Sequence, residues 1–386
     1  MRAFLLQAHR YLGLASALFL VLAGLTGCLL VFDGALDAAL NPALFRVPAR
    51  TPILSAPALA ARVMAADPGL EITALPLRVE PGRAVRMSVA PMRGFDQIFV
   101  DPADGHIVGT RDDGPGWDRP HLVQGIFRLH YTLLAGDAGR WLMGAIAFGW
   151  LLANAVGFYL TLPSRGPFWA KWRPVWTIKL SANPLRLLLD LHRASGLWLL
   201  AGVLILSATS MALNYYDELF RPVVAALSPP AETPWNRPVP PPRPAGTPLL
   251  GFEAALGQAT ALARRDDLAY PPATLQHFAD RQLYGVGFTP TGADEYRGLG
   301  PISYLIDDRT GDLVFVDNPW TDSAGQKVLR ALYPLHSGQV GGLATRLIVL
   351  VLGLATVEMA ATGIFVWWKK RKARISNRNR ARRAAG

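Results

Sequence analysis

Four long apolar segments constrain the fold of this chain more than any other feature. They occupy residues 11–32, 141–162, 187–215 and 343–368. Each is long enough to cross a bilayer, which takes about 20 mostly apolar residues. Only 17% of the 386 residues are charged, whereas a soluble domain carries roughly 25%. We therefore expect an α-helical integral membrane protein with four transmembrane helices.

The basic residues indicate which way these helices run. Residues 1–10, 163–186 and 369–386 together hold 16 of the 39 Lys and Arg residues and no Asp or Glu. By the positive-inside rule these three stretches are cytoplasmic, so the segments 33–140 and 216–342 face outward, into the periplasm of a bacterial inner membrane. The net charge of +11 thus comes from these three stretches. It fits contact with anionic membrane lipid and argues against a nucleic-acid partner.

The two halves of the chain repeat each other. The element His-Arg-x-x-Gly begins at His9 and again at His192, 183 residues later. Leu129-His130 matches Leu335-His336 at an offset of 206, which also relates the turns 101–105 and 307–311. A shared offset over this length indicates duplication.

Each outward segment is predicted to be a small α+β domain with its own antiparallel sheet. Amphipathic helices are expected at 56–66 and 252–264, and a Pro-rich stretch, 228–247, reads as an extended linker in the second copy. The strand-like runs are 75–79, 85–89 and 97–100 in the first copy, and 282–288, 303–306 and 313–315 in the second. The Asp-x-x-x-Gly turns lack the bidentate Glu of a calcium loop, which favours plain hairpin turns.

Four of the seven histidines fall at the repeated positions. His9 and His192 precede spans that run outward, whereas His130 and His336 precede spans that run inward. The expected pairs are therefore His9 with His192 at the cytoplasmic face, and His130 with His336 at the outer face. A zinc site would need three or four ligands, but two imidazoles suit the axial positions of haem b. The alternative is a set of interfacial histidines, each hydrogen-bonded at a helix end.

Residues beside these histidines fit the same interpretation. Gly13 and Gly196 lie four residues after His9 and His192, on the same helix face, where the lack of a side chain leaves room for a porphyrin. Four interfacial arginines are candidates to bind haem propionates, although simple snorkelling explains them equally well. They are Arg10, Arg193, Arg140 and Arg346.

The first span has two other interpretations. A charged start followed by an apolar run is typical of a signal peptide, but this run is long for one. Leu25-Thr26-Gly27-Cys28 also fits a lipoprotein cleavage pattern, with Cys28 as the lipidated residue. Such cleavage would remove His9. Cys28 is the only cysteine, which excludes an internal disulfide and CxxCH haem attachment.

With the four spans, the duplicated His-Arg-x-x-Gly element and two outward Asp-x-x-x-Gly-x-(Ile/Leu)-Val modules, the chain resembles the PepSY-associated transmembrane-helix family. It is similar in particular to the ferric-siderophore (ferrioxamine) reductase members, over almost its whole length. The resemblance implies two haems b with bis-His ligation, carried over to the four paired histidines. It also implies iron uptake, in which electrons pass outward to a ferric siderophore and Fe(II) is released. No siderophore-contact motif is apparent, so Tyr270, His277, Tyr284, Tyr296 and Trp320 are candidates on aromatic chemistry alone, and sheet packing explains them equally well.

Two other functions remain open. Besides a ferric-siderophore reductase, the sequence fits a haem-b subunit that serves a different periplasmic acceptor. It also fits a non-redox PepSY protein that binds a protease or carries a siderophore. No GxGxxG element follows a strand, so a nicotinamide or flavin site is not visible. The electron donor is therefore a membrane quinol or a soluble reductase that docks on the basic cytoplasmic surface.

Overall fold

A computed structural model describes residues 1–91, 94–244 and 246–384, and for 378–384 the backbone alone. The end of the predicted basic tail, 369–386, therefore lies outside the described residues. The chain divides into two compact units. The membrane unit comprises Met1–Phe32, Ile126–Pro222 and Leu332–Gly386; the sheet unit comprises Asp33–Gly125 and Val223–Ala331.

The helices account for most of the membrane unit and part of the sheet unit. In chain order they are α1 (Arg2–Leu30), α2 (Asp33–Leu40), α3 (Pro42–Phe45), α4 (Ala56–Ala66), α5 (Leu122–Thr132), α6 (Gly136–Thr161), α7 (Phe168–Trp172), α8 (Pro184–Trp198), α9 (Leu200–Asn214), α10 (Arg221–Leu227), α11 (Phe252–Arg265), α12 (Ala324–Ser337) and α13 (Leu343–Ala384). By length and composition, α1, α6 and α13 can each cross a membrane, and α8 with α9 can do so as a pair. The described part of the chain thus holds three candidate spans, or four with this pair.

The third predicted span, 187–215, is not one straight helix. Helices α8 and α9 meet at an angle of 74°. Leu199 leaves the helical conformation (φ −104°, ψ 9°), shortly after the Ser195-Gly196 pair. Such Gly/Ser pairs are places where helices kink. Helix α8 begins at Pro184, before the predicted span, and the Asn183 side chain caps it by accepting a hydrogen bond from the Arg186 N–H at 3.0 Å.

The candidate spans pack as neighbours in a bundle. Helix α1 contacts both α6 and α13, α6 contacts α9, and α8 contacts α13. A Cβ on Gly24 would lie 2.7 Å from a methyl carbon of Val357, so a glycine is what lets α1 approach α13 closely. Trp150, Val203 and Leu352 are buried at the centre of the bundle.

The strands of the sheet unit form a single antiparallel sheet. They are β1 (Ile72–Pro76), β2 (Val85–Val89), β3 (Gln97–Val100), β4 (Ile107–Arg111), β5 (Pro272–Phe278), β6 (Leu283–Phe288), β7 (Ile302–Asp307) and β8 (Leu313–Asp317). Their order is β4-β3-β2-β1-β5-β6-β7-β8. The strands of both predicted α+β domains thus join in one sheet, because β1 pairs with β5, with Leu75 opposite Leu275. This pairing removes an exposed edge from each copy.

Helices α4 and α11 cover the sheet and supply its core. The predicted helix 56–66 is confirmed, and the second ends one residue later than predicted. Strand β2 alternates strictly, with Val85, Met87 and Val89 buried and the residues between them exposed. The buried alanines of α11 allow that helix to lie close to the strands.

Two strands escaped prediction, and a third was misplaced. Strand β5 begins at a proline and contains Gln276-His277, and β4 contains Gly109, so neither has a strong strand composition. The run 75–79 is in fact the strand Ile72–Pro76, which ends at its proline.

Both Asp-x-x-x-Gly segments form hairpin turns, as predicted, joining β3 to β4 and β7 to β8. The Asp307 carboxylate accepts hydrogen bonds from the N–H groups of Arg309 and Thr310 at 2.9 and 2.8 Å. In the first copy, the backbone N–H of His106 holds the pKa of the Asp104 carboxyl below its usual range. Arg243 pairs with Asp307 at 2.9 Å. These carboxylates therefore stabilise the hairpin turns.

Candidate functional site

The inner pair of histidines meets inside the membrane unit. His9 lies in the second turn of α1, and His192 lies two turns inside α8. Their ring centroids are 6.2 Å apart with an angle of 73° between the ring planes. The stretch 1–10 is thus helical and joins the first span, which brings His9 into the bundle.

Main-chain carbonyls orient both inner imidazoles. Nδ1 of His9 lies 2.9 Å from the carbonyl oxygen of Ala153, and Nδ1 of His192 lies 3.0 Å from that of Met359. A carbonyl oxygen only accepts, so each Nδ1 carries the proton and donates it. The lone pair of each ring is then on Nε2, the state required of a neutral metal ligand. Ala153 and Met359 are separated by 206 residues, the same offset that relates His130 to His336.

Glycines of the neighbouring helices make room for these rings. A Cβ on Gly157 of α6 would lie 2.9 Å from Cε1 of His9, and a Cβ on Gly363 of α13 would lie 3.4 Å from Cε1 of His192. These glycines are again 206 residues apart. They were not predicted, although their spacing of 206 residues is visible in the sequence.

A cavity of about 380 Å³ adjoins the inner pair. Both predicted glycines line it, together with Trp150 and Asn154. A Cβ on Gly13 would meet nothing within 4 Å, and one on Gly196 would meet only Sδ of Met359 at 3.5 Å. Side chains at these two positions would therefore project into open space beside the histidines.

Cations line the same cavity. They are Arg10, Arg193, Lys370 and Arg374. Arg10 donates to Gln7 at 2.9 Å, and Arg193 donates to the buried carboxylate of Asp190 at 2.7 Å. Lys370 and Arg374 lie one turn apart on α13. The sequence interpretation had assigned both to a topological signal, so it missed their place in the cavity lining.

The outer pair has the same separation. His130 near the end of α5 and His336 near the end of α12 have ring centroids 6.2 Å apart and an interplanar angle of 53°. Residues 133–135 connect α5 to α6, and residues 338–342 connect α12 to α13. A Cβ on Gly139 would lie 1.6 Å from the carbonyl oxygen of Thr132, so a glycine is required where α6 turns back beside α5.

Threonine hydroxyls contact the outer imidazoles. Nδ1 of His130 lies 2.9 Å from Oγ1 of Thr26, and Nδ1 of His336 lies 3.1 Å from Oγ1 of Thr209. The two threonines are 183 residues apart, the spacing that separates His9 from His192. Sequence analysis missed both. Thr26 stands 17 positions after His9 on one continuous helix, which separates the two pairs by about 25 Å.

The predicted outer arginines have protein partners. Arg140 pairs with Glu218 and donates to the Asn214 carbonyl. The Arg140 guanidinium holds the pKa of the Glu218 carboxyl below its usual range. Arg346 lies over the ring of Phe32, 5.4 Å from its centroid.

The candidate cleft residues of the sheet unit do not share one environment. Tyr284 is 4% exposed and its hydroxyl donates to the Leu250 carbonyl at 2.7 Å. The His277 ring stacks on Tyr284 at 4.5 Å. Trp320 and Tyr296 are 63% and 37% exposed. Tyr284 and His277 therefore belong to the packing of the sheet.

The donor set limits the kind of cofactor that fits. Among the described residues, no group of three or more His, Cys, Asp or Glu side chains is placed to hold a metal ion. Each site offers two imidazoles with oriented Nε2 lone pairs, and the inner one also has a cavity with unoccupied glycine faces and cations. These residues fit haem, a cofactor that brings its own four equatorial ligands.

Comparison with known protein families found a match. No curated protein sequence matches the chain. The family model described as PepSY-associated TM region matches residues 6–370. That match takes in α6, α8 and α9, all but the outermost turns of α1 and α13, the whole sheet unit and both histidine pairs, and the chain belongs to the PepSY-associated TM region family.

Proposed function

We propose that this protein is an inner-membrane haem-b reductase that passes electrons outward to a ferric siderophore. In this proposal His9 and His192 ligate the inner haem, and His130 and His336 ligate the outer one. The observation that carries it is that the same arrangement occurs twice: two imidazoles with ring centroids 6.2 Å apart, each with its Nδ1 in contact with a hydrogen-bond partner.

The spacing of the rings supports bis-His ligation. A metal–imidazole bond is about 2 Å long and a ring centroid lies roughly 1 Å beyond the ligating nitrogen, so two such rings have centroids about 6 Å apart. Both pairs measure 6.2 Å. The Nδ1 contacts fix the tautomer and the ring orientation that ligation needs.

The chemistry of the pairs favours electron transfer. Haem supplies one-electron oxidation and reduction when bound, and two histidines leave no open position for oxygen. The remaining groups position the cofactor in this proposal. Gly13 and Gly196 leave room for the porphyrin, and Arg10 and Lys370 would bind the haem propionates. The apolar helices exclude water.

The siderophore as acceptor follows from the resemblance to ferric-siderophore reductases, together with the chemistry of iron. Hard oxygen ligands hold Fe(III) tightly and Fe(II) much less well. One electron delivered to each Fe(III) thus releases iron without competition from a tighter binding site. The donor is a quinol or a soluble reductase on the cytoplasmic side.

Anaerobic mixing tests the proposal. Protein reduced by dithionite and freed of excess reductant is mixed with a ferric hydroxamate siderophore and a ferrous chelator. We expect the reduced haem bands to disappear with one Fe(II) trapped per haem oxidised, and the His336→Ala variant to be slow. If the haems stay reduced, the ferric siderophore is not the acceptor, and the remaining function is that of a haem-b subunit for another acceptor. A protein without haem would exclude both.

A further inference from the structure

The two histidine pairs differ in what their Nδ1–H groups face. The inner imidazoles donate to main-chain carbonyls, at 2.9 Å for His9 and 3.0 Å for His192. The outer imidazoles face threonine hydroxyls, at 2.9 Å for His130 and 3.1 Å for His336. This difference follows the membrane face, and not the half of the chain, because each pair contains one histidine from each half.

The hydroxyl groups of Thr26 and Thr209 both donate their protons to main-chain carbonyls of their own helices. Oγ1 of Thr26 donates to the Leu22 carbonyl at 2.7 Å, and Oγ1 of Thr209 donates to the Ile205 carbonyl at 2.8 Å. Each hydroxyl therefore has only lone pairs to offer the neighbouring imidazole. It receives the Nδ1–H, as a carbonyl would, but a hydroxyl oxygen is a weaker acceptor than an amide oxygen.

The contrast is sharpest in the second half of the chain. His192 faces two acceptors, the Met359 carbonyl and Oγ1 of Thr362 at 3.2 Å. His336 faces Oγ1 of Thr209. In the first half the Ala23 carbonyl also lies within reach of the His130 ring, which reduces the difference there.

A stronger acceptor on Nδ1–H increases the electron density that Nε2 gives to a metal. Greater donation stabilises the oxidised metal, and second-shell hydrogen bonding is one of the protein's means of setting a haem potential. We infer that Thr26 and Thr209 are tuning residues that keep the outer ligands weaker donors, so that the outer haem has the higher midpoint potential. Electrons then move outward down a gradient built into the helices. The inference rests on the proposed function.

A potentiometric titration of the full-length protein in detergent tests it, with the absorption of the reduced haems as the readout. We expect two one-electron components separated by at least 59 mV, which corresponds to a tenfold equilibrium preference for the outer site. His192→Ala should remove the lower component, and His336→Ala the higher.

The threonine variants test the cause. Thr209→Val keeps the shape of the side chain and removes the acceptor, so the higher component should shift upward while the lower one stays in place. Thr26→Val should act in the same direction. Ser207→Ala is the matched control, since this buried hydroxyl on α9 donates to the Val203 carbonyl at 2.8 Å, and neither component should move.

Two results would overturn the inference. If His192→Ala removes the higher component, the inner haem has the higher midpoint potential. The cations of the inner cavity then affect the potentials more than the hydrogen bonds to Nδ1 do. If Thr209→Val shifts the lower component or neither one, the hydroxyl does not tune its histidine. A protein that binds no haem gives a different result, the absence of both components, and that outcome rejects the proposed function itself.

Discussion

Gly157 of α6 and His9 of α1 approach so closely that a Cβ on the glycine would lie 2.9 Å from Cε1 of the imidazole. Real Cβ atoms essentially never come that near, so even alanine would force the ring or the helix to shift. The equivalent distance between Gly363 and His192 is 3.4 Å, an ordinary van der Waals contact. A side chain at position 157 would therefore disturb His9 more than a side chain at position 363 would disturb His192.

This difference predicts unequal effects of the same substitution. Gly157→Ala should displace the His9 ring and reduce inner haem occupancy, whereas Gly363→Ala should leave it near the wild-type level. Haem content per chain in purified protein is the measurement. Gly149→Ala is the control on α6, because its Cβ would meet only Leu12 at 3.8 Å. Equal loss in the Gly157 and Gly363 variants would show that the contact does not matter.

Removing one histidine should remove one haem. We expect His9→Ala and His130→Ala each to bind about half the wild-type haem, with the remaining haem still low-spin, because the pairs lie about 25 Å apart along α1. His106 is exposed in a hairpin turn, and His106→Ala should retain full haem. Loss of both haems in a folded single variant would contradict independent sites.

The cations of the inner cavity should contribute to haem retention. Lys370→Gln with Arg374→Gln should weaken inner haem binding several-fold, since an exposed ion pair contributes about 1 kcal/mol or less. Transfer of haem to apomyoglobin, followed by absorption, measures the change. Arg371 lies over the Trp367 ring at 5.2 Å and is absent from the cavity lining, so Arg371→Gln should transfer haem at the wild-type rate.

The turn at Asp307 should make the sheet unit sensitive to acid. Burial opposes ionisation of Asp307, but hydrogen bonds from the N–H groups of Thr310 and Arg309 and from Arg243 outweigh it and lower its pKa. A lowered folded-state pKa means that the stabilisation is present above the unfolded value of about 3.9 and is lost as pH falls below it.

Asp307→Asn should therefore lower the unfolding temperature of the protein at pH 7 and have less effect near pH 3. Thermal unfolding followed by tryptophan fluorescence measures both, and the loss at pH 7 should be about 1–3 kcal/mol. Asp280, 67% exposed, provides the control through Asp280→Asn. A destabilisation by Asp307→Asn that is independent of pH would rule out the charge as its cause.

The proposed topology predicts which side of the membrane each loop faces. In a Cys28→Ser background, Asp280→Cys should react in intact spheroplasts with a maleimide that cannot cross membranes. Leu180→Cys, at a side chain that is 81% exposed, should react only after permeabilisation. The opposite pattern would reverse the orientation derived from the basic stretches.

The apolar segments and the meeting of His9 with His192 and of His130 with His336 were predictable, because long apolar runs and repeated sequence elements are visible in the sequence. The pairing of β1 with β5 was not, since a proline opens β5 and polar residues interrupt its pattern. The bend between α8 and α9 depends on the conformation of the single residue Leu199. Thr26 and Thr209 escaped notice because serine and threonine commonly bond their own helix, and only the structure shows which histidine each one faces.

Pyridine haemochrome analysis of the purified protein, combined with oxidised and dithionite-reduced absorption spectra, tests the central claim most directly. Two haems b per chain, with the sharp bands of low-spin bis-His iron, are the predicted result. A colourless protein from cells with ample haem would contradict the account and leave the histidine pairs as packing features of a non-redox membrane protein.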